Sequence, residues 1–185
     1  MIEKYALLLA MREVLQNPQK DYSVRELARA TGLSVFASKQ TLDYLLQKKM
    51  ITLKKIGKTY QYRAVLENFL TRQWKVIFSL EELDKSMIVE RILKTNKGIL
   101  SIVLYGSAAI GRDDGDSDID MLVIADTTAE GKKAIASQAR GTVKEVNISV
   151  YTPEEWRKKA AIDKIFYENV IINSIPLYGE KPVAL

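Results

Sequence analysis

Apolar positions along this chain keep a helical rhythm at first and switch to strand-like runs near Ile99. Ala6, Leu7, Leu9, Ala10, Val14 and Leu15 share one face and predict a helix over 2–15, which Asn17-Pro18 ends. Ser23 caps a second helix, and Glu26 three residues on completes a capping box before Leu27 and Ala28. Gly32-Leu33-Ser34 turns the chain, and Ser34 caps a third helix running to about Lys49. Met50–Leu53 and Tyr60–Arg63 read as short strands joined by a turn at Ile56-Gly57-Lys58. Helical spacing returns at Leu66, Phe69, Leu70, Trp74, Ile77 and Phe78, then at Met87, Ile88, Arg91 and Ile92. These stripes predict core or a dimer face, and Gly98 ends the second of them.

The stretch IVLYGSAAIGRDDGDSDIDMLVIA over 102–125 carries the chemistry. Ile102–Tyr105 predicts a buried strand, Gly106-Ser107 breaks it, and Ala108-Ala109 favour a helix start. A helix start leaves unpaired backbone N–H groups, which suit a phosphate. A second strand is expected from about Asp118, so Asp118 and Asp120 point to one face and Ile119 to the other. Two carboxylates side by side repel unless a cation lies between them, which predicts a metal site. Gly106 and Gly111 resemble half a P-loop, but Arg112-Asp113 stands where Lys-Ser/Thr is required. A calcium loop from Asp114 would need glycine at Ile119 and glutamate at Ala125. A solvated acidic turn is the remaining alternative; against it, an apolar strand continues directly from Asp120.

Beyond this stretch, Thr127–Arg140 reads as a helix with Gly141 as its stop. Lys144–Tyr151 reads as a strand that places Glu145, Asn147 and Ser149 on one face. Thr152 and Pro153 open another helix, Phe166–Ile172 forms the last, and Pro176-Leu177-Tyr178-Gly179 follows.

Gly106-Ser107, ten residues, then Asp118-Ile119-Asp120 and an apolar strand resembles the signature of the polymerase-β-type nucleotidyltransferases, especially their minimal members. The resemblance implies an α/β (α+β) fold whose mixed sheet is flanked by helices. It implies that Gly106 and Ser107 hold the triphosphate of an NTP, and that Asp118 and Asp120 hold one or two Mg²⁺ ions. Family members often carry arginine where this chain has Ile110, and Arg112 is the nearest replacement for offsetting phosphate charge. The family's third carboxylate falls on the strand 144–151; Glu145 is the acid there, one pleat early, while Asn147 aligns with the usual position. EVNISVYTPEEW also resembles nucleotidyltransferase domains fused behind winged helices.

SVRELARATGLSVFASKQTLDYLLQKKMI, followed by the short strands, resembles the winged helix-turn-helix of prokaryotic regulators. The resemblance puts Lys39 and Gln40 where such proteins reach base edges, with Phe36 and Ala37 bordering them. Lys54, Lys55, Lys58 and Arg63 fall on or beside the wing, where phosphate contacts are expected. Lys49 stands where many relatives have glycine. A winged helix used only for protein contacts, with its lysines merely solvated, is the other reading.

Charge sharpens the division. Residues 1–66 carry 12 Lys and Arg against 5 Asp and Glu, a net of +7, while 99–185 carry 10 against 13, a net of −3. A basic first third facing a polyanion and an acidic last half are expected to be separate modules. The expected boundaries are 1–65 for the winged helix, 66–98 for a helical connector and 99–185 for the nucleotidyltransferase domain. With no cysteine and no histidine, disulfides, thiolate or imidazole metal sites and Ser-His-Asp chemistry are excluded, leaving carboxylates. No apolar run reaches membrane length and the N-terminus lacks a signal-peptide pattern, so a cytoplasmic location is expected. The expected function is transfer of a nucleoside monophosphate from an NTP to a protein or nucleic-acid acceptor, coupled to DNA binding. The competing expectations are a DNA-binding regulator whose second domain binds nucleotide without reacting, and an antitoxin that modifies or neutralises a protein partner. A homodimer is also expected.

Overall fold

The computed structural model of the chain describes residues 5–140 and 144–184. By contacts the chain forms two compact units, Met1–Phe78 with Gly111–Gly115 and Ser79–Ile110 with Asp116–Leu185.

The first unit begins with three helices, α1 (Ala6–Gln16), α2 (Val24–Thr31) and α3 (Val35–Gln47). A two-stranded hairpin follows, β1 (Ile51–Ile56) and β2 (Thr59–Ala64), and then α4 (Phe69–Ser86) starts. Ser23 and Glu26 form the capping box at α2, with each side chain satisfying the other's backbone N–H. Ser34 accepts from Ala37 N–H at 3.1 Å to start α3. The hairpin pairs antiparallel from Ile51↔Ala64 to Ile56↔Thr59, and Tyr22 joins it through two backbone hydrogen bonds with Tyr62. Val14, Leu15, Leu27, Leu42 and Leu45 are wholly buried where the three helices meet. Truncating one of these leucines to alanine costs about 2–5 kcal/mol, which makes this small core the unit's main support. Lys49, between α3 and β1, has φ +55°, the backbone state that glycine adopts most easily. Asn68 holds that turn by donating to the Lys48 and Lys49 carbonyls at 3.2 and 3.0 Å.

The helices expected to connect the modules are divided between the two units: the boundary falls at Phe78 and Ser79, inside α4. The second unit continues with α5 (Ile88–Thr95), β3 (Ile99–Tyr105) and the four-residue α6 (Gly106–Ala109). Then come β4 (Ile119–Ala125), α7 (Ala129–Ala136), β5 (Val146–Tyr151), α8 (Pro153–Ile162), α9 (Lys164–Asn173) and β6 (Ile175–Tyr178). The sheet order is β5-β4-β3-β6, with β4 and β5 parallel and the other pairs antiparallel. Strand alternation feeds two apolar layers. Ile102, Leu104, Met121 and Val123 pack on one face with Ile88, Ile92 and Ile135, while Val103, Leu122 and Ile124 pack on the other with Trp156 and Val170.

One expectation about the second unit's elements changes. The helix read over 127–140 ends as α7 at Ala136, followed by a 3-10 turn at Ser137–Ala139; its expected stop, Gly141, lies outside the described residues. The segment around Pro176 is the strand β6, pairing with β3 at the sheet edge, the position that tolerates proline's missing N–H. Among the described residues, no helix is long and apolar enough to cross a membrane.

Candidate functional site

Register places the candidate site at one end of the sheet's middle. Asp120 on β4 lies opposite Tyr105 on β3 and opposite Asn147 on β5, so one row crosses three strands and faces one way. That is the face carrying Leu122 and Ile124 further along β4, whereas Ile119 is buried in the opposite layer. Asp118, just before the strand, is exposed and Asp120 is half-buried. The alternation read from the sequence therefore holds.

Gly106 follows β3 with φ +76°, and a Cβ there would stand 2.6 Å from Asp120 Oδ2. Only glycine lets the chain turn so close to that carboxylate. Ser107 sits in the first turn of α6, and its carbonyl accepts from Ile110 N–H at 3.3 Å. Tyr105 is half-buried beside them, its ring edge-on to Phe166 at 5.6 Å.

Electrostatics distinguishes the two acids. Burial pushes the Asp120 carboxyl above its ordinary pKa, a hydrogen bond from Asn147 pulls it down, and the charge of Asp118 pushes it up again. Asn147 Nδ2 also donates to Asp118 Oδ2 at 3.0 Å. The amide thus spans both carboxylates from its position opposite Asp120 on β5. Glu145 behaves differently: its carbonyl accepts from Ile119 N–H at 2.9 Å, and its side chain is exposed. Among the described residues, no three acidic side chains gather into a metal-binding cluster. The assembled set is Asp118, Asp120 and Asn147, beside Gly106 and Ser107.

These donors fit a hard divalent cation. Two carboxylates supply oxygen, the amide can turn its own oxygen inward, and the missing Cβ of Gly106 leaves a cradle against Asp120. Arg112 is exposed and falls in the segment Gly111–Gly115, which belongs to the first unit rather than with Gly106 and Ser107. A cavity of about 470 Å³ in the second unit lies elsewhere, lined by Leu100, Ile124, Trp156 and Pro182 at the far ends of β3 and β4. Its lining supplies one carboxylate, Glu180, so its size does not make it the chemical site.

In the first unit, Lys39, Gln40, Lys54, Lys55 and Lys58 are all exposed. Lys39 is paired with Asp43 one turn along α3. Arg63 makes a two-pronged ion pair with Asp21, both contacts 2.7 Å, so its guanidinium is already engaged. Phe36 is 72% exposed at the start of α3, next to exposed Val35.

The mixed sheet thus sets the Gly106-Ser107 turn beside Asp118 and Asp120. The family model described as polymerase beta, nucleotidyltransferase, matches residues 88–180, half of the chain. The chain belongs to that family. Among solved structures, it is similar to a candidate nucleotidyltransferase from Sulfolobus solfataricus at 18% identity and TM-score 0.40, over 57% of this chain and 88% of that one. It is also similar to a toxin–antitoxin protein crystallised with AMP-PNP at 16% identity and TM-score 0.38, over 52% and 74%. TrmBL2, an archaeal chromatin protein, is similar at 16% identity and TM-score 0.29, over 87% and 67%. No curated protein matches the chain.

Proposed function

We propose that this protein is a Mg²⁺-dependent nucleotidyltransferase that moves a nucleoside monophosphate from an NTP to a hydroxyl acceptor, and that its first unit is a winged helix that binds DNA. The observation that carries the enzymatic reading is the pair Asp118 and Asp120 on one face beside the Gly106-Ser107 turn. Asp118 and Asp120 would hold Mg²⁺, which when bound neutralises phosphate charge and polarises the reacting oxygens. The Ser107 hydroxyl and the backbone at Gly106 would orient the triphosphate by hydrogen bonds. Glu145 is the candidate for taking the acceptor's proton, because the Asn147 amide has no carboxylate to receive it.

The winged-helix reading rests on three helices followed by an exposed basic hairpin, and on the +7 charge of residues 1–66. Lys39 and Gln40 on α3 would meet base edges, and Lys54, Lys55 and Lys58 would meet phosphates. Arg63, tied to Asp21, would serve better as a brace for the hairpin.

Asn147 supports a second reading, a regulator or antitoxin whose site binds nucleotide without transfer, since an amide across both carboxylates replaces the group that would activate a nucleophile. One experiment separates the two. Each labelled NTP is incubated with Mg²⁺, the protein and cell extract, alongside Glu145→Gln and Asn147→Asp variants. Transfer by the parent that is lost in Glu145→Gln supports the enzyme. No transfer by the parent, with a trace restored by Asn147→Asp, supports the binding protein. Robust transfer that survives Glu145→Gln removes Glu145 from the mechanism.

A further inference from the structure

The acids between the Gly-Ser turn and β4 do not share one environment. Asp113 is 1% exposed and faces Lys75 of α4, itself fully buried, with Nζ and Oδ2 3.3 Å apart. Lys75 Nζ also donates to the Leu15 carbonyl at 3.1 Å and to Gln16 Oε1 at 3.2 Å. The ammonium thus binds the end of α1 and the acidic segment at once. Two further anchors flank it. Gly111 has φ +67°, and a Cβ there would fall on the Arg72 carbonyl oxygen; a Cβ on Gly115 would stand 2.8 Å from Asn17 Oδ1. Every one of these contacts lies within the first unit, although residues on both sides of Gly111–Gly115 belong to the second.

The covalent path from this anchored segment to the candidate site is short. Ser107 is four residues before Gly111 and Asp118 is three after Gly115. At about 3.3–3.6 Å per residue, fully extended chain reaches only some 10–15 Å over such lengths. A burial this complete is held by direction as well as charge, because an ammonium out of water needs its acceptors in place.

We propose that Lys75 is a positioning residue for the nucleotide site: by holding Asp113 it anchors the segment that crosses from Ser107 to Asp118, and so restrains the chain on either side of that segment. Asp113 is therefore a structural anchor, not a further metal ligand. The inference rests on the reading of Ser107, Asp118 and Asp120 as a nucleotide site.

The test compares the full-length parent with Lys75→Met, Asp113→Asn and the double variant Lys75→Met/Asp113→Leu. Thermal unfolding, calorimetric titration with Mg²⁺ and ATP, and amide hydrogen exchange over 107–120 are measured for each. Lys75→Met is expected to lose stability, and the apolar double variant to regain most of it, because a buried pair can be replaced by apolar side chains of similar volume. The double variant should nevertheless bind Mg²⁺–ATP about tenfold more weakly, the loss typical of removing a group that orients a metal site. Exchange should quicken at Ser107–Ile110 and Asp116–Asp118 as well as within Gly111–Gly115. Parental affinity in the stable double variant, or faster exchange confined to Gly111–Gly115, would overturn the proposal. If a substitution at Lys75 prevents folding, the exchange pattern of Asp113→Asn decides by the same criterion. If the parent itself binds no Mg²⁺–ATP, the nucleotide-site reading fails, and the exchange pattern alone still tells whether Lys75 sets the crossing.

Discussion

Asp113 and Asp118 belong to one acidic run, yet they meet opposite fates. Asp113 is sealed from water with a lysine that also donates to the Leu15 carbonyl and to Gln16 on α1. Asp118 stays exposed, with the Asn147 amide bound to it. The first carboxylate has its counter-charge built in, so its chemistry is finished when the chain folds. Asp118 and Asp120 have an amide but, among the described residues, no ion-pair partner, and are left with capacity for a cation. A run of acids is thus divided by burial and partners into an anchor and a candidate site.

The contrast breaks most visibly through stability. Asp113→Ala removes a buried ion-pair partner of the Lys75 ammonium and should destabilise the protein by about 3–5 kcal/mol. Asp118→Ala, at an exposed position, should change stability by less than about 0.5 kcal/mol. Chemical denaturation of the two variants checks this, and equal losses would mean that the two acids are not distinct in kind.

The second test concerns the basic unit. Lys54→Ala with Lys55→Ala should weaken binding to all DNA sequences about equally and lower the salt slope by about 2, one for each lost phosphate contact. Lys39→Ala and Gln40→Ala should instead alter sequence preference. Band shifts at several salt concentrations measure both, and no shift by the parent at low salt would make the hairpin a protein-contact element.

A third, smaller effect sharpens the comparison by pH. The fold raises the Asp120 pKa chiefly through burial, so the protonated form is favoured in the folded state. Stability supplied by that proton is present below the ordinary carboxylate pKa and lost as pH rises through the folded value. Asp120→Asn should therefore melt higher than the parent at neutral pH without Mg²⁺, with the gap closing as pH falls toward about 4. Added Mg²⁺ and nucleotide should stabilise the parent and leave Asp120→Asn unmoved.

The smallest expected effect is at Lys49. A left-handed backbone costs a side-chain residue about 1–2 kcal/mol, and glycine returns about 0.5–1 of that as unfolded-state entropy. Lys49→Gly should stabilise by up to about 1 kcal/mol, visible as a higher melting temperature, and a decrease would mean that the lysine side chain stabilises the turn.

Much of this was legible in local pattern. The Ser23–Glu26 capping box, the cap at Thr152 and the alternation of Asp118, Ile119 and Asp120 all depend on neighbours within a few residues. The family resemblance pointed to Asn147 as the residue at the third-carboxylate position, and strand register sets Asn147 opposite Asp120. What could not be read were choices of distant partner. Nothing near Lys75 announces Asp113, nothing near Arg63 announces Asp21, and β6 becomes a strand only because β3 offers it an edge. A lysine within the helical stripe of α4, where its neighbours are Thr71, Trp74 and Phe78, was the one available hint of a buried charge.

In the proposed site, Asp118 and Asp120 hold a divalent cation for a nucleotide seated at Gly106 and Ser107. Calorimetric titration of the parent and of Asp118→Ala/Asp120→Ala with ATP, with and without Mg²⁺, tests it most directly. Saturable, Mg²⁺-dependent binding is expected of the parent, with a loss of at least about 100-fold in the variant, beyond that seen when only an orienting neighbour of a metal ligand is removed. Equal affinity in the two proteins, with the variant folded by circular dichroism, would contradict it.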